Sequence, residues 1–306
     1  MTEQPTLEVA IGDLGTFMQR ERARVEAALA AVLAGPEAEP ESLHRAMRHS
    51  VFAGGKRLRP LLVIAAGKAC GVQPDEVLAA ACSVELIHTY SLIHDDLPSF
   101  DDEQLRRGKL SCHVLFGEAI AILAGDALQA LAFEHLAHAG RGSPHPQRWL
   151  AAIAAVGAAV GSSGMCGGQT MDLEAAGGSL QIEQLRCLHA AKTGALLTAS
   201  VLCGGILAGA SGADLVALRR YGDAIGLAFQ IVDDLLDVEG DVAQLGKRPG
   251  GDADRGQPTF PSLVGTEEAR DETQGLMRQA DDALESFGDA ASTLREIAAY
   301  IVDRSR

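Results

Sequence analysis

The 306-residue sequence contains few aromatic residues: Phe, Tyr and Trp make up 4% of it, with a single Trp. Hardly any segment alternates apolar and polar positions with β-branched residues, the pattern typical of strands. The common residues are instead Ala, Leu, Glu, Gln and Arg, which favour helices. The sequence therefore predicts an all-α fold.

Positive charge is also scarce. Lys and Arg number 26 against 41 Asp and Glu, which gives a net charge of −15 and a pI near 5.0. Nucleic acids and anionic membranes are polyanions, so such a field repels them. We expect no nucleic-acid partner, although a local basic patch can still bind a small anion.

The six cysteines form no C-x-x-C pair and lie in apolar stretches. This pattern predicts buried, reduced thiols rather than disulfides or a zinc site. The first residues lack a basic segment followed by an apolar one, so we expect no secretory signal and a cytoplasmic protein.

Two long uncharged stretches, 149–171 and 194–213, raise the question of a membrane span. Both are rich in Gly, Ala and Ser and poor in large apolar residues. They favour close-packed buried helices over a transmembrane segment.

Breakers such as Gly-Pro and Gly-Gly divide the chain into short segments, and the length alone allows one large helical domain or two smaller ones. Segment 240–261 is rich in Gly, Asp and basic residues and is expected to form a lid. The predicted helices cover 7–33, 41–52, 58–69, 75–94, 117–138, 146–161, 182–189, 193–208, 213–238, 267–286 and 290–303.

An acidic run, DDLLD (233–237), lies within a predicted helix. At helical spacing, Gln230, Asp233 and Asp237 project from nearly the same face, and Asp234 is rotated by about 100°. Like charges at that spacing repel, so a cation is expected between them, and oxygen ligands favour Mg²⁺ or Mn²⁺. The alternative is a solvated acidic face at the end of the helix.

A second acidic run, DDLPSFD (95–101), ends another apolar helix. Six positions separate Asp95 from Asp101, but Pro98 ends or bends the helix, so Asp101 can fold back toward Asp95. The alternative is a polar helix end with a simple turn.

Basic residues cluster in GGKRLRP (54–60) and in LRRGK (105–109). Guanidinium groups, an ammonium group and free backbone N–H groups are what a phosphate site needs. Each cluster alone could be ordinary surface charge. Together with the two acidic runs, they predict two diphosphate sites, one binding through metal ions and one directly.

On these motifs the chain resembles the trans-polyprenyl diphosphate synthases and is closest to the bacterial farnesyl diphosphate synthases. The motifs that carry the resemblance, in order, are GGKRLRP (54–60), IHTYSLIHDDLPSFDDEQLRRG (87–108), FGEAIAILAGDALQALAFE (116–134), GGQTMDL (167–173), HAAKTGALL (189–197), FQIVDDLLDVEGD (229–241) and LGKRPGGD (245–252).

The resemblance implies one helical domain, 1–306, forming a bundle around a deep cavity, usually a homodimer, with three Mg²⁺ ions. It implies that the metal ligands are Asp95, Asp96, Asp101, Asp233 and Asp237. It implies that the allylic diphosphate contacts Arg106, Lys192, Thr193, Gln230 and Lys247. It implies that isopentenyl diphosphate contacts Gly55, Lys56, Arg59, His88 and Arg107. Thr193 and Gln230 match positions beside the reacting allylic carbon, and Asp95, Asp101, Asp233 and Lys192 complete the catalytic set.

Product length is expected to depend on the helix that precedes Asp95, where Tyr90 and Ser91 lie one turn or more deeper. In the family, an aromatic residue here accompanies short products, so the sequence predicts mainly the C15 product, farnesyl diphosphate. The C20 product and the C10 product are the alternatives.

One departure from the family pattern is Gln257, which occupies a position where bacterial relatives commonly have a lysine. Lys247, Arg248 or Arg255 could compensate for the missing contact. The rival hypotheses are a class I terpene cyclase, which would not need the second basic site, and a non-catalytic regulatory subunit, which could lose acidic ligands. His94 either orients a carboxylate or caps its helix.

Overall fold

The computed structural model describes residues 13–175, 180–239 and 258–303, and in these ranges the protein is almost entirely helical. The all-α prediction is confirmed. The α-helices are α1 (Asp13–Val32), α2 (Glu41–Val51), α3 (Leu58–Ala69), α4 (Pro74–Asp95), α5 (Cys112–Phe116), α6 (Glu118–Gly142), α7 (Pro146–Val160), α8 (Met165–Ala175), α9 (Ile182–His189), α10 (Ala195–Ala208), α11 (Gly212–Glu239), α12 (Phe260–Val264), α13 (Thr266–Ala283) and α14 (Ser292–Asp303). A π-helix (Ala190–Gly194), a 3₁₀ helix (Glu285–Ala291) and a hairpin of strands β1 (Leu105–Arg106) and β2 (Lys109–Leu110) complete the described chain.

The helices α3 and α9 begin and end where the sequence predicts. The largest difference is α8, which begins at Met165, between the predicted helices 146–161 and 182–189, where no helix is predicted. The prediction failed because Gly167 and Gly168 lie inside a helix, where they allow a close approach of the neighbouring backbone. The single-domain assignment of 1–306 stays a prediction.

Helix α4 lies at the centre of the bundle and packs against α3, α6 and α10. All residues from Ala80 to Ile87 are buried, which is the pattern of a helix enclosed on every side. Helix α10 is buried over most of its length in the same way and packs on α3, α7 and α11. The C-terminal end of α4, which carries the first acidic run, is thus rigidly held.

By length and composition alone, four helical stretches are apolar enough to cross a membrane: Pro74–Asp95, Glu118–Gly142, Pro146–Ala175 and Ile182–Ala208. The first and last are 67% buried over their most apolar window, and the other two are 33% buried. The prediction of a buried helix is therefore confirmed for 194–208, but it is wrong for much of 149–171. The absence of a membrane span stays a prediction.

All six cysteines are free thiols, as expected. Cys82, Cys112 and Cys203 are buried, and burial raises the pKa of Cys82 and Cys203 to about 12. Cys166 and Cys187 are exposed, so the prediction of burial is wrong for these two. Both lie on helices, and the sequence did not show which face of each helix is exposed.

Candidate functional site

The first acidic run lies where α4 ends and the chain turns back. The helix ends at Asp95, and the backbone N–H of Asp101 donates a hydrogen bond to the carbonyl oxygen of Asp95 at 2.9 Å. Pro98 lies in the turn between them. The prediction that Asp101 folds back toward Asp95 is confirmed.

Both aspartates line a cavity of about 220 Å³, which we call the acidic cavity. Its lining is rich in carboxylates but also contains Arg106 and Lys192. The lining residues are Leu92, Asp95, Asp101, Arg106, Asp172, Leu185, Leu188, His189, Lys192, Thr193, Gln230, Asp233, Asp234, Pro258 and Thr259. Five aspartates around one small space repel one another when ionised, so a cation bound among them is favourable.

The pKa of Asp95 shows that an ionised carboxylate is unfavourable in this cavity. Burial raises the pKa of this carboxyl from 3.8 to about 6; the positive charge of Lys192 acts against the rise, and the charge of Asp101 adds to it. A divalent cation in the cavity would reverse this balance and favour the carboxylate form.

The acidic cavity fits magnesium that arrives with its substrate. Within 13–175, 180–239 and 258–303, no three His, Cys, Asp or Glu side chains are grouped closely enough to hold a metal alone. Mg²⁺ commonly binds through one or two carboxylates and completes its shell with substrate phosphates and water. Asp95, Asp101 and Asp233 line the same cavity and suit that mode.

The second acidic run is divided among different environments on α11. Gln230 and Asp233 line the acidic cavity, as their helical spacing predicts. Asp234, expected to point away, also lines it and accepts a hydrogen bond from the N–H of Phe260 at 2.7 Å. Asp237 is 3% exposed and is not among the residues that line the acidic cavity, and its role as a metal ligand stays a prediction.

Lys192 and Thr193 reach the acidic cavity from the π-helix between α9 and α10. Lys192 Nζ donates to Asp172 Oδ2 of α8 at 2.5 Å. The two backbones approach closely at Gly168, where a Cβ atom would lie 2.5 Å from the Cα of Lys192. A π-helical turn here matches the frequent occurrence of such turns at functional sites.

A second cavity, of about 330 Å³, is lined from α4 by Glu85 and His88, and we call it the basic cavity. It contains every residue that the resemblance assigns to isopentenyl diphosphate: Gly55, Lys56, Arg59, His88 and Arg107. Its remaining lining residues are Arg57, Leu58, Glu85, Phe229 and Tyr300.

The charge of Arg57 is paired with Glu85 inside the protein. The side chain is buried, with Nη1 donating to Glu85 Oε1 and Nη2 donating to the carbonyl oxygen of Val51, both at 2.6 Å. Arg57 also has a positive φ of 53°, uncommon for a residue with a side chain. The pair with Glu85 therefore fixes the backbone of the GGKRLRP segment rather than binding an anion.

Burial, with a smaller contribution from neighbouring cations, lowers several pKa values in the basic cavity. Burial lowers the pKa of Arg59 to about 10; Glu85 acts against this shift and Arg107 adds to it. Burial and then the charge of Arg59 lower the pKa of His88 well below 6.5, which keeps its imidazole neutral. A bound dianion or trianion would offset the repulsion among these groups.

The hairpin of β1 and β2 contributes one residue to each of the two cavities. Its two-residue loop is Arg107 and Gly108, both with positive φ, as in a type I′ turn. Arg106, in β1, lines the acidic cavity, whereas Arg107 lines the basic one. Two adjacent arginines therefore line different cavities.

Asp96 holds Arg106 in place. Both Nε, at 2.9 Å, and Nη2 of Arg106 donate to Asp96 Oδ1, and Asp96 is 3% exposed. Asp96 is not among the residues that line the acidic cavity, and its role among the metal ligands stays a prediction. Arg107 is held separately, by donation from Nη1 to the carbonyl oxygen of Gly54.

Several lining residues were absent from the predicted site, among them Glu85, Asp172, Phe229 and Tyr300. Asp172 and Phe229 belong to motifs that the sequence analysis quotes, so their positions gave a usable signal. Glu85 is one of few acids in the apolar α4, which was a weaker signal. Tyr300 lies on α14, and nothing in the sequence indicated its place in the site. Lys56 Nζ lies 5.5 Å from the centroid of its ring, a contact that depends on tertiary packing.

The remaining predicted residues lie as follows. Tyr90 is 5% exposed, and Ser91 is half-buried with its hydroxyl donating to the carbonyl oxygen of His88 at 2.9 Å. Lys247, Arg248, Arg255 and Gln257 lie outside the described residues, as does most of the expected lid. The described end of that segment is a capped helix start, in which Thr259 accepts a hydrogen bond from the N–H of Ser262.

The chain is similar to known proteins over most of its length. A sequence model described as polyprenyl synthetase matches residues 40–297. The chain is 46% identical over 264 residues to farnesyl diphosphate synthase of Escherichia coli, covering 85% of this chain and 88% of that protein. It is 43% identical to geranylgeranyl pyrophosphate synthase 11 of Arabidopsis thaliana, covering 95% and 82%.

Among solved structures, an FPP/GFPP synthase from Zymomonas mobilis matches with a TM-score of 0.85 at 40% identity, covering 95% of this chain and 99% of that one. The family match covers the hairpin and all lining residues of the two cavities except Tyr300. The chain therefore belongs to the polyprenyl synthetase family and is a short-chain prenyltransferase.

Proposed function

We propose that the protein condenses isopentenyl diphosphate with dimethylallyl or geranyl diphosphate and that its main product is farnesyl diphosphate. The observation that carries this proposal is the division of Arg106 and Arg107 between two cavities. One cavity suits a diphosphate bound with magnesium, and the other suits a diphosphate bound directly by cations.

In the acidic cavity, Asp95, Asp101 and Asp233 would hold Mg²⁺ on the allylic diphosphate; the metal supplies charge neutralisation of the leaving group when bound. Arg106 and Lys192 would contact the same diphosphate. Asp96 and Asp172 are their respective ion-pair partners and would position them.

In the basic cavity, Lys56, Arg59 and Arg107 would bind the diphosphate of isopentenyl diphosphate, assisted by the backbone of Gly55. His88 would contribute a neutral N–H donor, since its pKa lies well below 6.5. Glu85 would keep the loop in shape through Arg57.

The reaction would begin with cleavage of the allylic carbon–oxygen bond, whose electron pair leaves with the diphosphate. Oxygen dipoles of Thr193 and Gln230 would stabilise the allylic cation. The double bond of isopentenyl diphosphate then forms the new carbon–carbon bond, and a proton is lost to the released diphosphate. No protein nucleophile is required.

Product length is the finer part of the proposal, because the named relatives include both farnesyl and geranylgeranyl diphosphate synthases. Tyr90 is a large, buried ring on α4, five residues before Asp95. It would limit growth to C15, with C20 and C10 as the alternative products. A terpene cyclase is less well supported, since it would not need the basic cavity.

Replacing Tyr90 with Ala should remove the limit and lengthen the main product beyond C15. Replacing it with Phe is the matched control, because among the described residues the Tyr90 hydroxyl completes no hydrogen bond of good geometry. Products are sized by chromatography after dephosphorylation. A C15 product from both variants would remove Tyr90 as the limiting residue.

The arrangement of two sites is tested with adjacent variants, Arg106→Gln and Arg107→Gln. Purified protein is incubated with Mg²⁺, labelled isopentenyl diphosphate and either dimethylallyl or geranyl diphosphate. Loss of one charged hydrogen bond should raise a KM by about 10- to 100-fold. We expect Arg106→Gln to affect the KM of the allylic substrate and Arg107→Gln that of isopentenyl diphosphate.

Wild-type protein that forms no prenyl diphosphate in the presence of Mg²⁺ would overturn the proposed function. Equal effects of both variants on both KM values would overturn the assignment of the two cavities. Removal of Mg²⁺ with a chelator should abolish product formation by the wild type.

A further inference from the structure

One side chain near the first acidic run is turned away from both cavities. His94 precedes Asp95, yet its Nε2 lies 3.1 Å from the carbonyl oxygen of Ile122 on α6. A carbonyl oxygen only accepts, so Nε2 donates this hydrogen bond. His94 neither orients Asp95 nor caps α4, which were the two alternatives from the sequence.

The ring of His94 occupies a notch that α6 provides by lacking a side chain. A Cβ atom on Gly125 would lie within 3.0 Å of ring atoms Nε2, Cδ2 and Cε1 of His94. Glycine inside a helix is less favourable than alanine, so α6 carries a locally unfavourable residue where the histidine needs room. Such departures from local preference are expected where a position serves a function.

The other side of the same ring supports Tyr90. The two rings meet edge to face, with centroids 5.7 Å apart and an interplanar angle of 69°. Tyr90 has Gln129 and Cys166 as further polar neighbours, but its hydroxyl completes no hydrogen bond of good geometry among the described residues. The ring of Tyr90 is therefore held by packing, and His94 is an aromatic neighbour that is itself fixed to α6.

We propose that His94, seated in the Gly125 notch, is a positioning residue that sets product length by holding the ring of Tyr90. The proposal rests on the proposed function and on the role of Tyr90 in it. His94 contacts no substrate in this account. It acts through Tyr90, so its loss should change where elongation stops more than how fast each condensation occurs.

The test uses His94→Ala, Gly125→Ala and the double variant, with product length as the readout. In His94→Ala the Tyr90 ring loses an edge contact and can move toward α6, so the ratio of C20 to C15 product should rise about threefold to tenfold. In Gly125→Ala the added methyl group displaces the imidazole toward Tyr90, so more C10 product should be released. The double variant should match His94→Ala, since the methyl group then meets no ring.

Gly157→Ala is the matched control, because this glycine also lies inside a helix, α7, and an added Cβ meets nothing within 4 Å. It should leave product length unchanged. His94→Gln keeps an N–H donor for Ile122 and should give a product distribution between those of the wild type and His94→Ala. Thermal unfolding of each variant shows that it is folded before its products are compared.

The outcomes separate this inference from the proposed function. If the wild type forms no prenyl diphosphate, the proposed function fails. If the wild type elongates and the folded His94 and Gly125 variants keep its product distribution, the positioning role fails. A double variant that shifts products further than His94→Ala would also contradict the notch mechanism.

Discussion

At the scale of single residues, the site depends on neighbours in sequence that face different ways. Arg106 lines the acidic cavity and Arg107 lines the basic cavity. On α11, Gln230 lines the acidic cavity and Phe229 lines the basic one. The identities of these residues were predictable from the motifs. Their directions were predictable for Gln230, whose helical spacing defines a face, but not for the arginines, which depend on a two-residue turn.

His88 gives a prediction about pH because its pKa is lowered by burial and by the guanidinium groups around it. An unfolded chain takes up a proton on this imidazole near pH 6.5, whereas the folded protein does not. The unfolded state therefore binds more protons as pH falls, and the free energy of unfolding should decrease below that pH. One such group changes the free energy by at most about 1.4 kcal/mol per pH unit.

His88→Gln keeps a neutral hydrogen-bonding side chain and should flatten this dependence. The measurement is urea unfolding of the substrate-free protein from about pH 5 to pH 7.5, a range that spans the ordinary histidine pKa. His138→Gln is the control, since His138 is 63% exposed on α6. An equal slope in His88→Gln and wild-type protein would show that His88 does not contribute.

At the scale of elements, helices bounded by caps and breakers were well predicted, whereas elements that depend on tertiary packing were not. The α3, α4 and α9 boundaries follow from caps, breakers and apolar runs in the sequence. The π-helix at Ala190–Gly194 and helix α8 depend instead on close packing between them. Local propensity cannot encode that packing, because it involves residues more than twenty positions apart.

Gly168→Ala tests whether that packing positions Lys192. The new Cβ atom would meet the Lys192 backbone, so α8 or the π-helix must shift. A displacement of about 1 Å in a positioning residue can lower catalytic efficiency by about 100-fold, and overpacking typically costs about 1–3 kcal/mol of stability. We expect kcat/KM for the allylic substrate to fall by that order, measured by initial rates.

The same change at Gly157, where there is open space, should leave kcat/KM close to the wild-type value. Weaker binding of isopentenyl diphosphate is not expected in Gly168→Ala, since α8 does not line the basic cavity. A variant with normal kinetics would mean that α8 can move without disturbing Lys192.

At the scale of the whole molecule, the described fold leaves one apolar surface uncovered. Val114 and Leu115 on α5, and Ile122 and Leu123 on α6, are between 38% and 53% exposed. The most apolar window of α6 is only 33% buried, although α6 packs closely on α4 along its inner face. Exposed apolar patches of this kind mark surfaces that interact with a protein or a membrane.

We expect this surface to join two copies of the chain, as the family resemblance implies. A twofold interface is self-complementary, so a single charged substitution enters it twice and places like charges close together. Leu123→Asp should therefore shift the protein from dimer to monomer at micromolar concentration, as measured by sedimentation velocity.

Val216→Asp is the control, because Val216 is 61% exposed on α11, away from α5 and α6 in sequence. Since His94 is bound to Ile122 on the same helix, a Leu123→Asp monomer should also release an altered distribution of product lengths. A wild-type protein that sediments as a monomer would contradict the expected dimer, whereas a Leu123→Asp dimer would mean that another surface forms the contact.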